Sequence, residues 1–89
     1  MKYVITVQIS NVVYIGIQEF YYKQSDYPSD PLTSILEIAE KFNLADIERI
    51  KAIISKLQIL INDWIAEAYP TIPTFTAIYL KRFETPRPA

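Results

Sequence analysis

The amino-acid sequence predicts a small α+β domain with the element order β-β-α-α-β. Three observations carry this prediction: a start rich in Val, Ile and Tyr, a long amphipathic segment over residues 45–68, and a second β-rich segment, residues 74–80, that follows two prolines. We expect a β-hairpin and a third strand to form one small sheet, with two helices packed on one of its faces. Residues 1–84 are predicted to form this single domain, and residues 85–89 to be a mobile C-terminal tail.

The first two strands are predicted over residues 3–9 and 12–23, where Val, Ile, Tyr and Phe dominate. Their register follows from alternation, because the apolar side chains of both strands should reach one face of the sheet. A two-residue turn at 10–11 would divide them between the faces, whereas a three-residue loop at 9–11 keeps them together. The predicted pairs are Val7 with Val13, Ile5 with Ile15 and Tyr3 with Ile17. Asn11 is then expected to take the left-handed backbone conformation that such a loop needs.

A polar linker over residues 24–30 leads to the first predicted helix. Asp30 followed by Pro31 is a typical helix start, because Asp caps free amides and Pro fits the first turn. The helix is predicted to end at Asn43, a residue suited to a left-handed stop. Its apolar side chains recur at helical spacing: Leu32, Ile35, Leu36, Ala39 and Phe42. This stripe is expected to pack against the sheet.

The second helix, about residues 45–68, has the strongest periodic signal in the chain. Its apolar stripe follows a three-four spacing: Ile47, Ile50, Ile54, Leu57, Ile61, Trp64 and Ala68. The predicted core contacts are those of Leu57, Ile61 and Trp64 with Ile5, Val7, Ile15 and Ile17. Ile59 lies opposite the centre of the stripe, in line with Ala52 and Ala66. The third predicted strand is largely apolar on both faces, which indicates burial on both sides.

Composition excludes several classes of chemistry. Hydrophobic residues make up 51% and charged residues 21% of the chain, as in a folded globular domain. Cys and His are absent, which excludes disulfides, thiolate or imidazole metal sites and His-dependent catalysis. A net charge of −1 disfavours nucleic-acid binding. Isoleucine outnumbers leucine by fifteen to six, a bias that fits the AT-rich coding sequences of many mobile or viral elements.

Two carboxylates on the second predicted helix are a candidate for metal or acid-base chemistry. Asp63 and Glu67 lie one helical turn apart, a spacing that could hold a hard cation. Solvated surface charges are the favoured interpretation, because no third ligand stands near them in the sequence. We therefore expect no metal and no cofactor.

Aromatic side chains beside cations are the candidate binding groups. Tyr and Arg dominate protein interfaces, and aromatic rings also stack nucleobases. The predicted partner-binding or ligand-binding residues are Tyr14, Phe20, Tyr22, Ile59, Tyr79 and Arg82. Packing within a small core is the competing interpretation of the aromatic residues.

These observations favour a small non-catalytic interaction module, a regulator or inhibitor that acts as a homo-oligomer. A homodimer is expected because two helices can cover only one face of the sheet, which leaves apolar surface for a second copy. An unidentified protein is the expected partner. The alternatives are a small molecule or nucleotide held between protomers and, less favoured, a single-stranded nucleic acid. An enzyme is the least favoured class. We expect a cytoplasmic protein, since the sequence shows no signal peptide and no apolar run long enough to cross a membrane.

Overall fold

A computed structural model describes residues 2–13, 17–24 and 31–83. These residues form a four-stranded antiparallel sheet and one long helix, which confirms the α+β class. The strands are β1 (Lys2–Asn11), β2 (Gln18–Tyr22), β3 (Leu32–Thr33) and β4 (Thr74–Phe83), and the helix is α1 (Ile47–Ala68). Their order across the sheet is β3-β2-β1-β4. Two short 3-10 turns, Leu36–Ile38 and Leu44–Asp46, precede α1.

The central strand β1 forms the middle of the core. It pairs with β4 along its whole length, from Lys2 with Phe83 to Asn11 with Thr74, in one unbroken register. Ile5, Val7 and Ile9 point to the face covered by α1 and belong to the hydrophobic core. A sequence rich in β-branched residues suits this position, because a central strand packs on both faces.

The predicted hairpin register is wrong. Val7 pairs with Phe20 rather than with Val13, and β2 begins only at Gln18. The physical reason is that β1 continues to Asn11 through its pairing with β4, so no loop can form at 9–11. In this register the odd-numbered residues of β1 pair with even-numbered residues of β2, which turns the opposite set of β2 side chains towards the helix.

Asn11 is therefore a strand residue and not the left-handed centre of a loop. Its side-chain Nδ2 donates a hydrogen bond to Thr74 Oγ1 (3.3 Å), and its Oδ1 accepts one from the backbone N–H of Val13 (2.9 Å). Asn11 is buried, whereas Ile17, predicted to face the core, is exposed. Ile15, its predicted companion, lies outside the described residues.

The first predicted helix is also wrong, because tertiary hydrogen bonds take its place. The segment forms β3, one 3-10 turn and an extended stretch that ends at Phe42. There the backbone N–H of Tyr3 donates to the Phe42 carbonyl (2.9 Å), and the N–H of Phe42 donates to the Tyr3 carbonyl (2.8 Å). Phe42 thus continues the sheet alongside β1 beyond the end of β2, and its ring is almost fully buried. Asp30, the predicted cap, lies outside the described residues.

The long helix and the last strand form where the sequence predicts them, but burial of the last strand on both faces is wrong: β4 lies at the edge of the sheet, and Phe75 and Tyr79 on its open face are exposed. α1 follows the second 3-10 turn directly and ends before Pro70. Ile50, Leu57 and Ile61 are buried against the helix-facing side of β1, as the apolar stripe predicted. The prediction for Trp64 is wrong, because its side chain is exposed and does not anchor the core. In the described ranges, no helix is long and apolar enough to cross a membrane.

Candidate binding surfaces

The six predicted binding residues do not form one site. Phe20 and Tyr22 are partly buried on the helix-covered face, where both pack against the core. The Tyr22 ring lies 6.1 Å from the Phe42 ring, measured between centroids. The predicted register, Val7 with Val13, would place both aromatics on the uncovered face by alternation, and the observed pairing of Val7 with Phe20 explains the difference. Tyr14 lies outside the described residues.

The remaining three predicted residues point in three directions. Tyr79 lies on the open face of the sheet, the face that α1 does not cover, because it pairs with Thr6. Arg82 pairs with Tyr3, so alternation places it on the helix-facing side of β4. Ile59 is 66% exposed on α1, on the side opposite the buried stripe. Of the predicted residues that the structure describes, Phe20 alone lines the cleft described next.

An apolar cleft of about 320 Å3 lies between the second half of α1 and the β2–β3 side of the sheet. Its lining residues are Ile9, Phe20, Pro31, Leu32, Thr33, Ser34, Leu60, Ile61 and Trp64. None of them is charged, and only Thr33 and Ser34 are polar. Leu60 is 38% and Trp64 43% exposed, so large apolar side chains of the cleft are accessible to solvent. Such a surface favours uncharged, apolar groups.

The cleft exists because the segment before α1 is not a helix. β3 contains two residues and is followed by a bend, so this segment occupies less of the sheet than the predicted helix would. Trp64 is held in place from its other side, where its ring meets Tyr69 edge-on at 5.8 Å. Leu32, Leu60 and Trp64 were missed as site residues. For Leu60 and Trp64, the signal in the sequence was an apolar stripe on the long helix that is wider than the core of a small domain needs.

The open face of the sheet combines aromatic rings with a polar network. Gln8 Nε2 donates a hydrogen bond to the Tyr79 hydroxyl (2.9 Å), and the Tyr21 hydroxyl donates one to Glu19 Oε1 (3.3 Å). Lys81 Nζ forms an ion pair with the same Glu19 oxygen at 3.2 Å. Burial, and then the Glu19 carboxylate, raises the pKa of Tyr21 above its ordinary value. The side chains of this network are thus already engaged with one another: Gln8 with Tyr79, and Glu19 with Tyr21 and Lys81.

A second ion pair has a structural role. Arg49 Nη1 lies 2.6 Å from Glu40 Oε1, and its guanidinium carbon lies 5.2 Å from the centre of the Phe42 ring. The hydrogen bond to Glu40 raises the pKa of Arg49. These contacts join the first turn of α1 to the segment that extends the sheet. They hold the buried Phe42 ring rather than form a reactive site.

Charged groups do not gather into a metal site in the described part of the chain, where no three His, Cys, Asp or Glu residues come together. Asp63 and Glu67 are both exposed on α1. Comparison of the chain with protein families, with curated proteins and with solved structures finds no match. Fold and surfaces together define a small α+β domain with an apolar cleft on its helix side and an aromatic, hydrogen-bonded face on the other.

Proposed function

We propose that the protein is a small non-catalytic interaction module that acts as a homodimer and binds an apolar segment of a partner protein. The observation that supports this function is the cleft lined by Phe20, Leu32, Leu60 and Trp64. Exposed Leu and Trp side chains cost free energy in water, and burying them against a partner recovers it. Trp is also one of the residues that contribute most to protein interfaces.

The chemistry of the cleft limits which kinds of partner segment can bind there. The described lining residues include no charged side chain and so offer no counterion to an acidic or basic group, which favours a bound segment that presents uncharged apolar groups. The polar side-chain groups of the described lining are the hydroxyls of Thr33 and Ser34 and the indole N–H of Trp64, and Thr33 Oγ1 already accepts a hydrogen bond from the backbone N–H of Ile35. Specificity would therefore come from the shape of the apolar side chains.

An apolar small molecule is the second candidate, because about 320 Å3 falls at the lower end of the range for ligand pockets, roughly 300–1,000 Å3. A nucleotide fits less well, since the described lining residues include no cation for its phosphates and Arg82 lies on β4, away from the cleft. Native mass spectrometry of the purified protein tests this candidate. A bound molecule would add a discrete mass to the 10.3 kDa chain, and removal of that mass by Leu60→Ser would place the molecule in the cleft.

A library of random peptides displayed on phage tests the main proposal. We expect the unmodified protein to select peptides that share large apolar side chains. Leu60→Ser, inside the cleft, should weaken the binding of a selected peptide by about tenfold or more. Ile59→Ser is the matched control, because Ile59 is the neighbouring residue on α1, is more exposed and lies outside the cleft. It should leave the affinity unchanged.

Thermal unfolding of both variants checks that each is folded at the assay temperature. Selection of no peptide would contradict the proposal, as would equal affinity for both variants. A loss of affinity in Ile59→Ser alone would place the binding surface on the outer side of α1 and not in the cleft.

A further inference from the structure

The outer edge of β4 offers a long row of backbone hydrogen-bonding groups. β4 is ten residues long and lies at the end of the sheet order, next to β1. Every second residue of an edge strand directs its N–H and C=O away from the sheet. Within the described ranges, no strand pairs with this side of β4. Such an edge is a template for the addition of another strand.

The features that usually protect an edge strand are missing from most of β4. It contains no proline, and its ten consecutive pairs with β1 leave no room for a bulge. Its charged residues, Lys81 and Arg82, stand together near one end. The other edge strand of the sheet, β3, has only two residues. Pairing through an edge is therefore favoured at β4.

The sequence of β4 is self-complementary about Ala77. Two residues before it stands Phe75 and two residues after it stands Tyr79, and all three share the open face of the sheet. A second copy that is antiparallel and centred on Ala77 places Phe75 opposite the partner's Tyr79, and the same contact repeats in the other half. Cross-strand aromatic pairs of this kind stabilise sheets. Phe75 is 73% exposed in the single chain, and this contact would cover it.

The same arrangement separates the positive charges. Lys81 and Arg82 of each copy extend past the start of the neighbouring strand, so the two basic ends lie at opposite limits of the interface. Because antiparallel pairing of identical strands has a two-fold axis perpendicular to the sheet, it also closes the assembly at two copies.

We propose that β4 pairs with β4 of a second copy, antiparallel and centred on Ala77, to form one continuous sheet. This inference rests on the proposed homodimer and locates its interface. Both α1 helices would lie on the same side of that sheet. Each cleft lies on the β2–β3 side of its own copy, away from β4. The dimer would therefore present two accessible clefts, which increases the apparent affinity for a partner with repeated binding segments.

Engineered cysteines test this interface directly, because the chain contains no natural cysteine. Under oxidation, Ala77→Cys should form a disulfide with its own copy. Phe75→Cys and Tyr79→Cys should crosslink when mixed and not when separate, since identical positions would lie about 13 Å apart along the strands. A disulfide needs Cα atoms about 4.4–6.8 Å apart. Ile59→Cys is the exposed control on α1 and should stay uncrosslinked.

Light scattering of the unmodified protein tests the proposed homodimer separately from the position of its interface at β4. A mass of twice the 10.3 kDa chain is expected at micromolar concentration. A mass of one chain at every concentration would overturn both the homodimer and the β4 interface. A dimer in which Ile59→Cys crosslinks and Ala77→Cys does not would overturn the β4 interface alone. Far-UV circular dichroism checks that each variant keeps the fold, and peptide binding to the cleft remains a separate measurement.

Discussion

A single hydroxyl group lies buried in the middle of the sheet without a hydrogen bond. Thr6 is 0% exposed on the open face of β1, between Tyr21 of β2 and Tyr79 of β4. Its Oγ1 has no hydrogen-bond partner in the described part of the chain. A buried polar group in this state costs about 1–3 kcal/mol. The open face is therefore tightly packed at its centre, although no helix covers it.

Replacement of Thr6 by valine should stabilise the protein. Thr6→Val keeps the branched shape and removes the unpaired hydroxyl, so we expect the free energy of unfolding to rise by about 1 kcal/mol. Urea unfolding measures this change. Val7→Thr is the matched control on the neighbouring position, and it should lower the free energy by about 1–3 kcal/mol. A loss of stability in Thr6→Val would show that the hydroxyl has a partner in solution.

The Tyr21 phenol should make stability depend on alkaline pH. Burial and the Glu19 carboxylate raise its pKa in the folded protein above the ordinary value of 10.0. A group with a raised folded pKa contributes stability that is fully present below the unfolded pKa and is lost as the pH rises through the folded pKa. The free energy of unfolding should therefore fall above about pH 10, and Tyr21→Phe should fall less steeply.

Urea unfolding of both proteins in steps from about pH 8 to about pH 11 measures the difference in slope. The comparison between the two proteins removes the contributions of the other tyrosines and of the lysines. Parallel loss of stability in the two proteins would contradict the assigned environment of Tyr21.

Two neighbouring positions of α1 separate its buried side from its outer side. Leu57 is buried against the core, whereas Ile59 is exposed. Leu57→Ala should lower the free energy of unfolding by about 2–5 kcal/mol, because it leaves a cavity in the core. Ile59→Ala should change it by less than about 0.5 kcal/mol. Thermal unfolding distinguishes the two, and equal melting temperatures would mean that α1 is rotated relative to this description.

The elements that could be predicted are those whose signal is local. α1 shows its periodicity and β4 its β-forming composition within one segment each, and Pro70 and Pro73 lie between them. The segment before α1 also has helical spacing, yet its structure is decided by hydrogen bonds between Tyr3 and Phe42, far apart in the chain. The hairpin register depends likewise on the pairing of β1 with β4. Non-local pairing of this kind leaves no trace in a periodic pattern.

At the scale of the whole molecule, the same limit applies to the candidate binding surfaces. Phe20 could be selected from the sequence as an aromatic strand residue, and it does line the cleft. Leu60 and Trp64 could not, because the helical stripe alone does not say which of its residues meet the sheet. Because the first predicted helix does not form, the side chains at the edge of the apolar stripe of α1 face a cleft. The candidate binding surface thus depends on whether the segment before α1 forms a helix.

The arrangement of the whole molecule gives the protein two separate surfaces. The apolar cleft lies on the β2–β3 side, and the outer edge of β4, with which no strand pairs in the described ranges, lies on the other side of the sheet. A chain organised in this way can self-associate through one side and bind a partner through the other, without either contact blocking the second. The cleft is the central feature of this account, because the proposed function depends on it.

The fluorescence of Trp64 tests the cleft most directly, since Trp64 is the single tryptophan of the chain and lines the cleft. Titration with a peptide selected by the unmodified protein should shift its emission to shorter wavelength and reach saturation, because the peptide would remove water from a ring that is now 43% exposed. Leu60→Ser should require about tenfold more peptide for the same shift. A peptide that binds and leaves the emission of Trp64 unchanged would contradict the account.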